Sequence, residues 1–184
     1  LTVPNYLAGF VGKPVLPLDA PEVSAAIERV QKRTDALLNC GGTHRPEWFH
    51  RKLGDILYEG CGVARDEAGL LDALTKAREL REEFWRDVKV VGTGNRLNQE
   101  LEKAGRVADF IELGEVMILD ALDRRESAGA HFRNEYATEA GEAKRNDGDW
   151  CAVSAWETRP DGTKVRHSEP LSFSLIDLQV RDYR

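Results

Sequence analysis

The stretch from Leu97 to Arg125 constrains the fold of this chain more than any other. It reads as one helix, about 43 Å long at about 1.5 Å per residue. Two apolar stripes run along it. One is Leu97, Leu101, Ala104, Ala108, Ile111, Ile118 and Leu122; the other is Val107, Phe110, Met117 and Ala121. A helix apolar over so wide an arc needs neighbours on more than one side and is expected at the centre of a bundle. Its apolar run is broken by Asp109, Glu112, Glu115 and Asp120, well short of the ~20 apolar residues of a membrane span.

Three further helices are predicted upstream. The first runs from Pro21 to Leu38, with Val23, Ala26, Ile27, Val30, Thr34, Leu37 and Leu38 repeating at three and four. Pro21 suits its first turn, and Asn39 to Gly42 stop it. The second runs from Pro46 to Glu59 with Phe49, Leu53, Ile56 and Leu57 on one face, ending at Gly60 and Gly62. Asp66 is a natural N-cap for the third. Its stripe of Leu70, Leu74, Ala77, Phe84 and Val88 is interrupted by Arg81.

After Ser127 the pattern changes. Gly129 breaks the helix, a polar, turn-rich stretch follows, and WCAVSAWET and VRHSEPLSFSLIDLQV read as strands around the hairpin signal RPDGTK. Helices first and strands last argue for an α+β fold, mainly α: a three- to four-helix bundle followed by a small antiparallel sheet. Residues 1–20, with three prolines and no helical period, are expected to be extended and to lie against a larger body; residues 21–128 are expected to form the helical domain and residues 129–184 the small β region. The start at Leu1, with no signal segment after it, reads as the middle of something longer.

Composition narrows the function. The 184 residues carry 32 acidic and 26 basic side chains, a net charge of −6, which excludes a globally basic nucleic-acid binder. Cys40, Cys61 and Cys151 are odd in number and widely spaced, so neither a disulfide framework nor a four-thiolate metal site is encoded, and a reducing compartment is expected. VKVVGTGNRL tempts a dinucleotide-binding reading, but Leu97 stands where the third small residue is needed. His44 and His50 lie six apart with no metal-ligand spacing.

The densest polar cluster is LDRRESAGAHFRNEY, where Arg124, Arg125, His131 and Arg133 gather near Asp123, Glu126 and Glu135. Arginine forks there suit an anion or a docked domain. The competing reading is cations gathered at a helix C-terminus and paired to neighbouring acids. Glu115 falls on the long helix's seam between Ile111 and Ile118, so a buried carboxylate needs a partner: Arg124, Arg133 or another arginine.

At this cluster the chain resembles a known family. RVADFIELGEVMILDALDRRESAGAHFRNEYATEAGEAKRNDGDWCAVSAWE is similar to the C-terminal region of the flavoprotein subunit of succinate dehydrogenase and fumarate reductase. The most specific elements are Arg125-Glu126-Ser127 with Gly129, His131 and Arg133, preceded in order by Leu113-Gly114-Glu115 and Ala121-Leu122-Asp123-Arg124. FHRKLGDILYEGCGVARDEAGL resembles the region's second and third helices, so the likeness extends from about Pro21 to the end. YATEAGEAKRND looks like the longer form partnered with a single di-haem cytochrome anchor.

The resemblance implies a parent subunit that binds FAD and interconverts succinate and fumarate. It passes electrons through an iron–sulfur subunit toward a cytochrome b anchor, at the cytoplasmic face of the membrane and peripheral through its partners. The family's flavin and substrate motifs are absent from these residues, so no cofactor, metal or catalytic residue is expected here, and the isolated chain is expected to be inactive. Glu115, Arg124, Arg125, His131 and Arg133 become candidates for docking the flavin-binding domain or contacting the iron–sulfur subunit. A stand-alone helical interaction module, or the tail of a related flavin oxidase such as L-aspartate oxidase, is the alternative.

Overall fold

The computed structural model describes residues 2–179. Four long helices carry the fold: α2 (Pro21–Asn39), α3 (Pro46–Gly60), α4 (Glu67–Asp87) and α5 (Gln99–Asp123). They are preceded by a seven-residue helix α1 (Thr2–Ala8). The extended chain expected over residues 1–20 is thus helical at its beginning, where Pro4 falls in the first turn and its missing N–H costs nothing.

Helices α3, α4 and α5 pack against one another around two apolar clusters. One joins Phe49, Leu53, Phe84, Val88, Val107 and Ile111, with Phe49 and Phe84 edge to face at 5.2 Å. The other joins Cys61, Leu70, Ala73, Ala77, Ile118 and Ala121. The α4 stripe is buried as its spacing predicts, and Asp66 caps the helix by accepting the Gly69 N–H at 2.8 Å. Gly60 permits the close approach of α3 to α4, since a Cβ there would lie 2.6 Å from that of Ala73.

Helix α2 is different. It meets the bundle near its C-terminal end, where Leu37 is buried and Arg33 donates to the Gly105 carbonyl at 3.2 Å. The loop after α2 then crosses the end of α4. Gly42 lies directly against the Asp87 backbone, and the Asp87 carboxylate takes hydrogen bonds from Thr43 and His44.

The central helix is shorter than the sequence suggests. It spans 25 residues because Asn98 caps it, accepting the N–H groups of Glu100 and Leu101, and because Arg124 is already extended. Leu97 lies outside the helix and is 96% exposed. Of the second stripe, Val107 and Ala121 are buried, whereas Phe110 and Met117 line an open apolar groove against His50, Leu53 and Leu57. The helix is central on one side only.

Beyond α5 the chain forms a short parallel pairing of β1 (Ala64–Arg65) with β2 (Phe132–Arg133), a 3-10 turn (Asn134–Tyr136) and a single-turn helix α6 (Asp147–Trp150). An antiparallel hairpin follows, β3 (Ala152–Thr158) with β4 (Lys164–Pro170) in register Ala155↔His167. Its turn is closed by the Gly162 N–H on the Arg159 carbonyl, with Gly162 at φ +84°, a conformation that favours glycine. Residues 171–179 form no strand. The hairpin is tied to the end of α5 by Trp156, whose indole N–H donates to Asp120 at 2.8 Å, and by an Arg166–Asp123 ion pair at 2.7 Å. The arrangement is α+β and mainly α, with a helical bundle followed by a small antiparallel sheet.

Candidate functional site

The conspicuous polar assembly of the fold is the junction where α5 ends. The last carbonyls of a helix have no partner within it. Here Arg133 supplies one: its guanidinium donates to the carbonyls of Ala121 at 2.8 Å and Leu122 at 3.2 Å, and its Nε to Glu135 at 3.1 Å. The side chain is 2% exposed. Ser127, fully enclosed, accepts the Arg133 N–H at 2.8 Å and donates to its carbonyl. Ala128 and His131 exchange backbone hydrogen bonds around Gly129, whose φ of +58° suits the tight turn.

His131 bridges two elements. Its Nε2 meets the Arg124 carbonyl at 3.0 Å and its Nδ1 meets the Arg65 guanidinium at 3.3 Å. A guanidinium can only donate and a carbonyl can only accept, so these partners select the neutral tautomer with the proton on Nε2. Burial pushes the imidazole below its ordinary pKa. The charges of Arg65, Arg124 and Arg133 push the same way, and the Arg124 carbonyl opposes them.

Two carboxylates complete the junction. Glu126, buried, accepts a fork from Arg124 at 2.8 and 2.6 Å on one oxygen and the Asn146 N–H at 2.8 Å on the other. Glu135 accepts the Glu67 N–H at the start of α4. Burial raises the Glu135 pKa, but the hydrogen bonds from Arg133 and from backbone N–H groups outweigh it and the net shift is downward.

Glu115 lies farther along α5, its side chain 5% exposed. It is held by Arg78 at 2.9 Å and Arg81 at 2.5 Å, both from α4. The partner is therefore "another arginine" of the sequence reading, not Arg124 or Arg133. Arg81 is the residue that interrupts the α4 stripe, and the buried carboxylate is the reason it can stand there. Arg124, Arg133 and His131 come together at the junction, with Glu115 apart from them. Arg125 is exposed and makes no hydrogen bond or ion pair among the described residues. Arg65 and Arg78 were not singled out by sequence reasoning, whereas Ser127 and Glu135 were named there as parts of the polar cluster and its motif; for Arg78 and Arg81 their i, i+3 spacing facing an acid on the seam was the available signal.

The junction is a structural clamp in its chemistry. Its donors and acceptors satisfy each other, and arginines hemming a neutral histidine do not constitute a base beside a nucleophile. Cys61 is buried, and burial pushes its thiol up, away from the reactive thiolate. Among the described residues, no group of three or more His, Cys, Asp or Glu is placed to hold a metal ion. The Gly92–Gly94 loop does not fit a dinucleotide phosphate: the Asn98 amide packs 2.8 Å from where a Cβ of Gly92 would stand and bonds the Val91 and Thr93 carbonyls. No helix of the described residues is long and apolar enough to cross a membrane.

A family model described as fumarate reductase flavoprotein C-term matches residues 50–183, which includes the junction and both arginines of the Glu115 pair. The chain belongs to this family. It is similar to the succinate dehydrogenase flavoprotein subunit of Bacillus subtilis, 26% identical over 160 residues, covering 86% of this chain and 26% of that protein. It is also similar to the fumarate reductase flavoprotein subunit of Helicobacter pylori, 28% identical over 188 residues, covering 100% of this chain and 25% of that one. The chain thus spans about a quarter of the length of the curated relatives it matches.

Solved structures share the fold. A point variant of Escherichia coli quinol fumarate reductase superposes with a TM-score of 0.76 at 24% identity, covering 92% of this chain and 28% of that one. Adenylylsulfate reductase of Archaeoglobus fulgidus superposes with a TM-score of 0.73 at 17% identity, covering 97% and 29%. At these identities the likeness shows the fold alone. The fold is common to family members and to adenylylsulfate reductase.

Proposed function

We propose that the chain is the helical and C-terminal part of a flavoprotein subunit that interconverts succinate and fumarate, and that it braces the flavin-binding domain of that subunit. In this reading FAD is bound outside these residues, and electrons leave through an iron–sulfur subunit toward a membrane-anchored cytochrome b. The subunit is then peripheral to the membrane through its partners, and the Arg125 region offers contact surface to one of them.

One observation carries the bracing role. The apolar stripe of α2 has no cover where the helix projects from the bundle: Ile27 is 60% and Val30 67% exposed. Tyr6, Leu7 and Phe10 in the leading segment are exposed as well. Exposed apolar surface of this kind marks an interaction site, and the flavin-binding domain is the cover this reading assigns to it. The experiment is co-production of the chain with a flavin-binding domain of the succinate dehydrogenase type. Copurification as one yellow particle supports the proposal, and separation of the two overturns it.

A further inference from the structure

Between the flank of the helical bundle and the turn of the β3–β4 hairpin lies a cleft of about 670 Å³, within the size range of small-molecule sites. It is apart from the junction at the end of α5, and its floor is the outer side of the Glu115 pair. Arg78 commits its Nε to Glu115, and Arg81 commits one Nη. The other guanidinium nitrogens have no partner among the described residues, and both side chains are partly exposed on the cleft wall. Two guanidinium groups on one carboxylate leave a surplus positive charge facing the opening.

The hairpin supplies the opposite wall. Trp156 is fixed there by its bond to Asp120, and Lys164 stands beside Thr158, with its Nζ on the threonine hydroxyl at 2.7 Å. Asp161 also lines the cleft, but its carboxylate is turned back on the Thr163 N–H and hydroxyl, which lower its pKa. Glu112, exposed and without an ion pair among the described residues, is the remaining acid on the rim.

We propose that this cleft binds a carboxylate, seated across the free N–H groups of Arg78 and Arg81 and steadied by Lys164. Guanidinium forks suit a planar carboxylate geometrically. The charge balance chooses it over a dianionic phosphate: Arg78 and Arg81 against Glu115 leave one net positive charge, which one carboxylate matches, and Glu112 and Asp161 on the rim oppose a second negative charge. The carboxylate comes from a free small dicarboxylate or from an acidic side chain of a bound polypeptide. The inference does not rest on the bracing role proposed above.

Calorimetric titration of the full chain at low ionic strength tests it, using sodium glutarate and a blocked Gly-Glu-Gly peptide, with sodium chloride as the ionic-strength control. Saturable binding of either probe at one site per chain is the expected result; glutarate identifies a small-molecule site, and tighter peptide binding identifies a polypeptide one. Arg78→Gln weakens binding about tenfold, equivalent to about 1.4 kcal/mol. Lys164→Gln weakens it less, and Glu112→Gln tightens it. If Arg78→Gln fails to fold, the two rim variants still decide. Absence of saturable binding by both probes overturns the proposal, as does an affinity unmoved by both Glu112→Gln and Lys164→Gln.

Discussion

The Arg133 guanidinium donates to the Ala121 carbonyl at 2.8 Å, so a residue of β2 closes the end of the longest helix. The same residue's backbone bonds Ser127, and its Nε reaches Glu135, whose carboxylate holds the start of α4. One residue therefore couples α5, the loop after it and α4.

Arg133→Ala should destabilise the chain by about 3 kcal/mol, the cost of leaving buried partners of a charged group unsatisfied. In a chain of this size that lowers the Tm by about 6–12 °C, measurable by circular dichroism. In the intact flavoprotein, weakened docking or flavin retention in this variant should track the loss of folding, because the side chain faces the interior. An unchanged Tm would remove the clamp.

Glu115 and Arg81 should be energetically coupled. A double-mutant cycle of Glu115→Ala and Arg81→Ala is expected to give a coupling of about 1–2 kcal/mol, reduced from that of a fully buried pair because Arg81 is partly exposed. Replacing Arg124 instead of Arg81 should give no coupling to Glu115.

Helix boundaries were legible where caps and stripes agreed, as at Asp66 and in the α4 stripe. Leu97 shows where the reading fails. Its spacing matches the α5 stripe, but Asn98 bonds the first helical N–H groups and excludes Leu97 from the helix. Periodicity cannot distinguish a residue inside a helix from one just before its cap. The need of Glu115 for an arginine was legible from its seam position. Which arginine was not, because that depends on the rotation of α4 against α5. The partnering of β1 with β2 joins residues far apart in sequence, and two-residue strands carry no alternation to detect.

This boundary is itself testable. Leu97→Ser should change stability by no more than about 0.5 kcal/mol, as an exposed position does, whereas Asn98→Ala should cost about 1 kcal/mol for the lost cap. Urea denaturation of both variants compares them directly; a larger loss from Leu97→Ser would place that residue in the core.

His131 should make the fold sensitive to acid. Its folded pKa lies below the ordinary 6.5, so the unfolded chain takes up the proton first. Stability is then complete above 6.5 and falls as the pH drops below it toward the folded value. Asp87 adds a separate window. Its pKa is lowered from 3.8 to about 2 by hydrogen bonds from His44 and Thr43, so its contribution is present above 3.8 and lost as pH falls toward about 2. His131→Gln should flatten the first window and Asp87→Asn the second, in melting curves recorded across pH.

The bracing role makes the most direct demand on the α2 stripe. Ile27→Asp combined with Val30→Asp alters two exposed positions, so the Tm of the isolated chain should hold. In the full-length flavoprotein, flavin bound per polypeptide is the measurement. A marked fall in flavin content with the Tm of the isolated chain unchanged is the predicted result; full flavin content and normal assembly in the double variant would contradict the account.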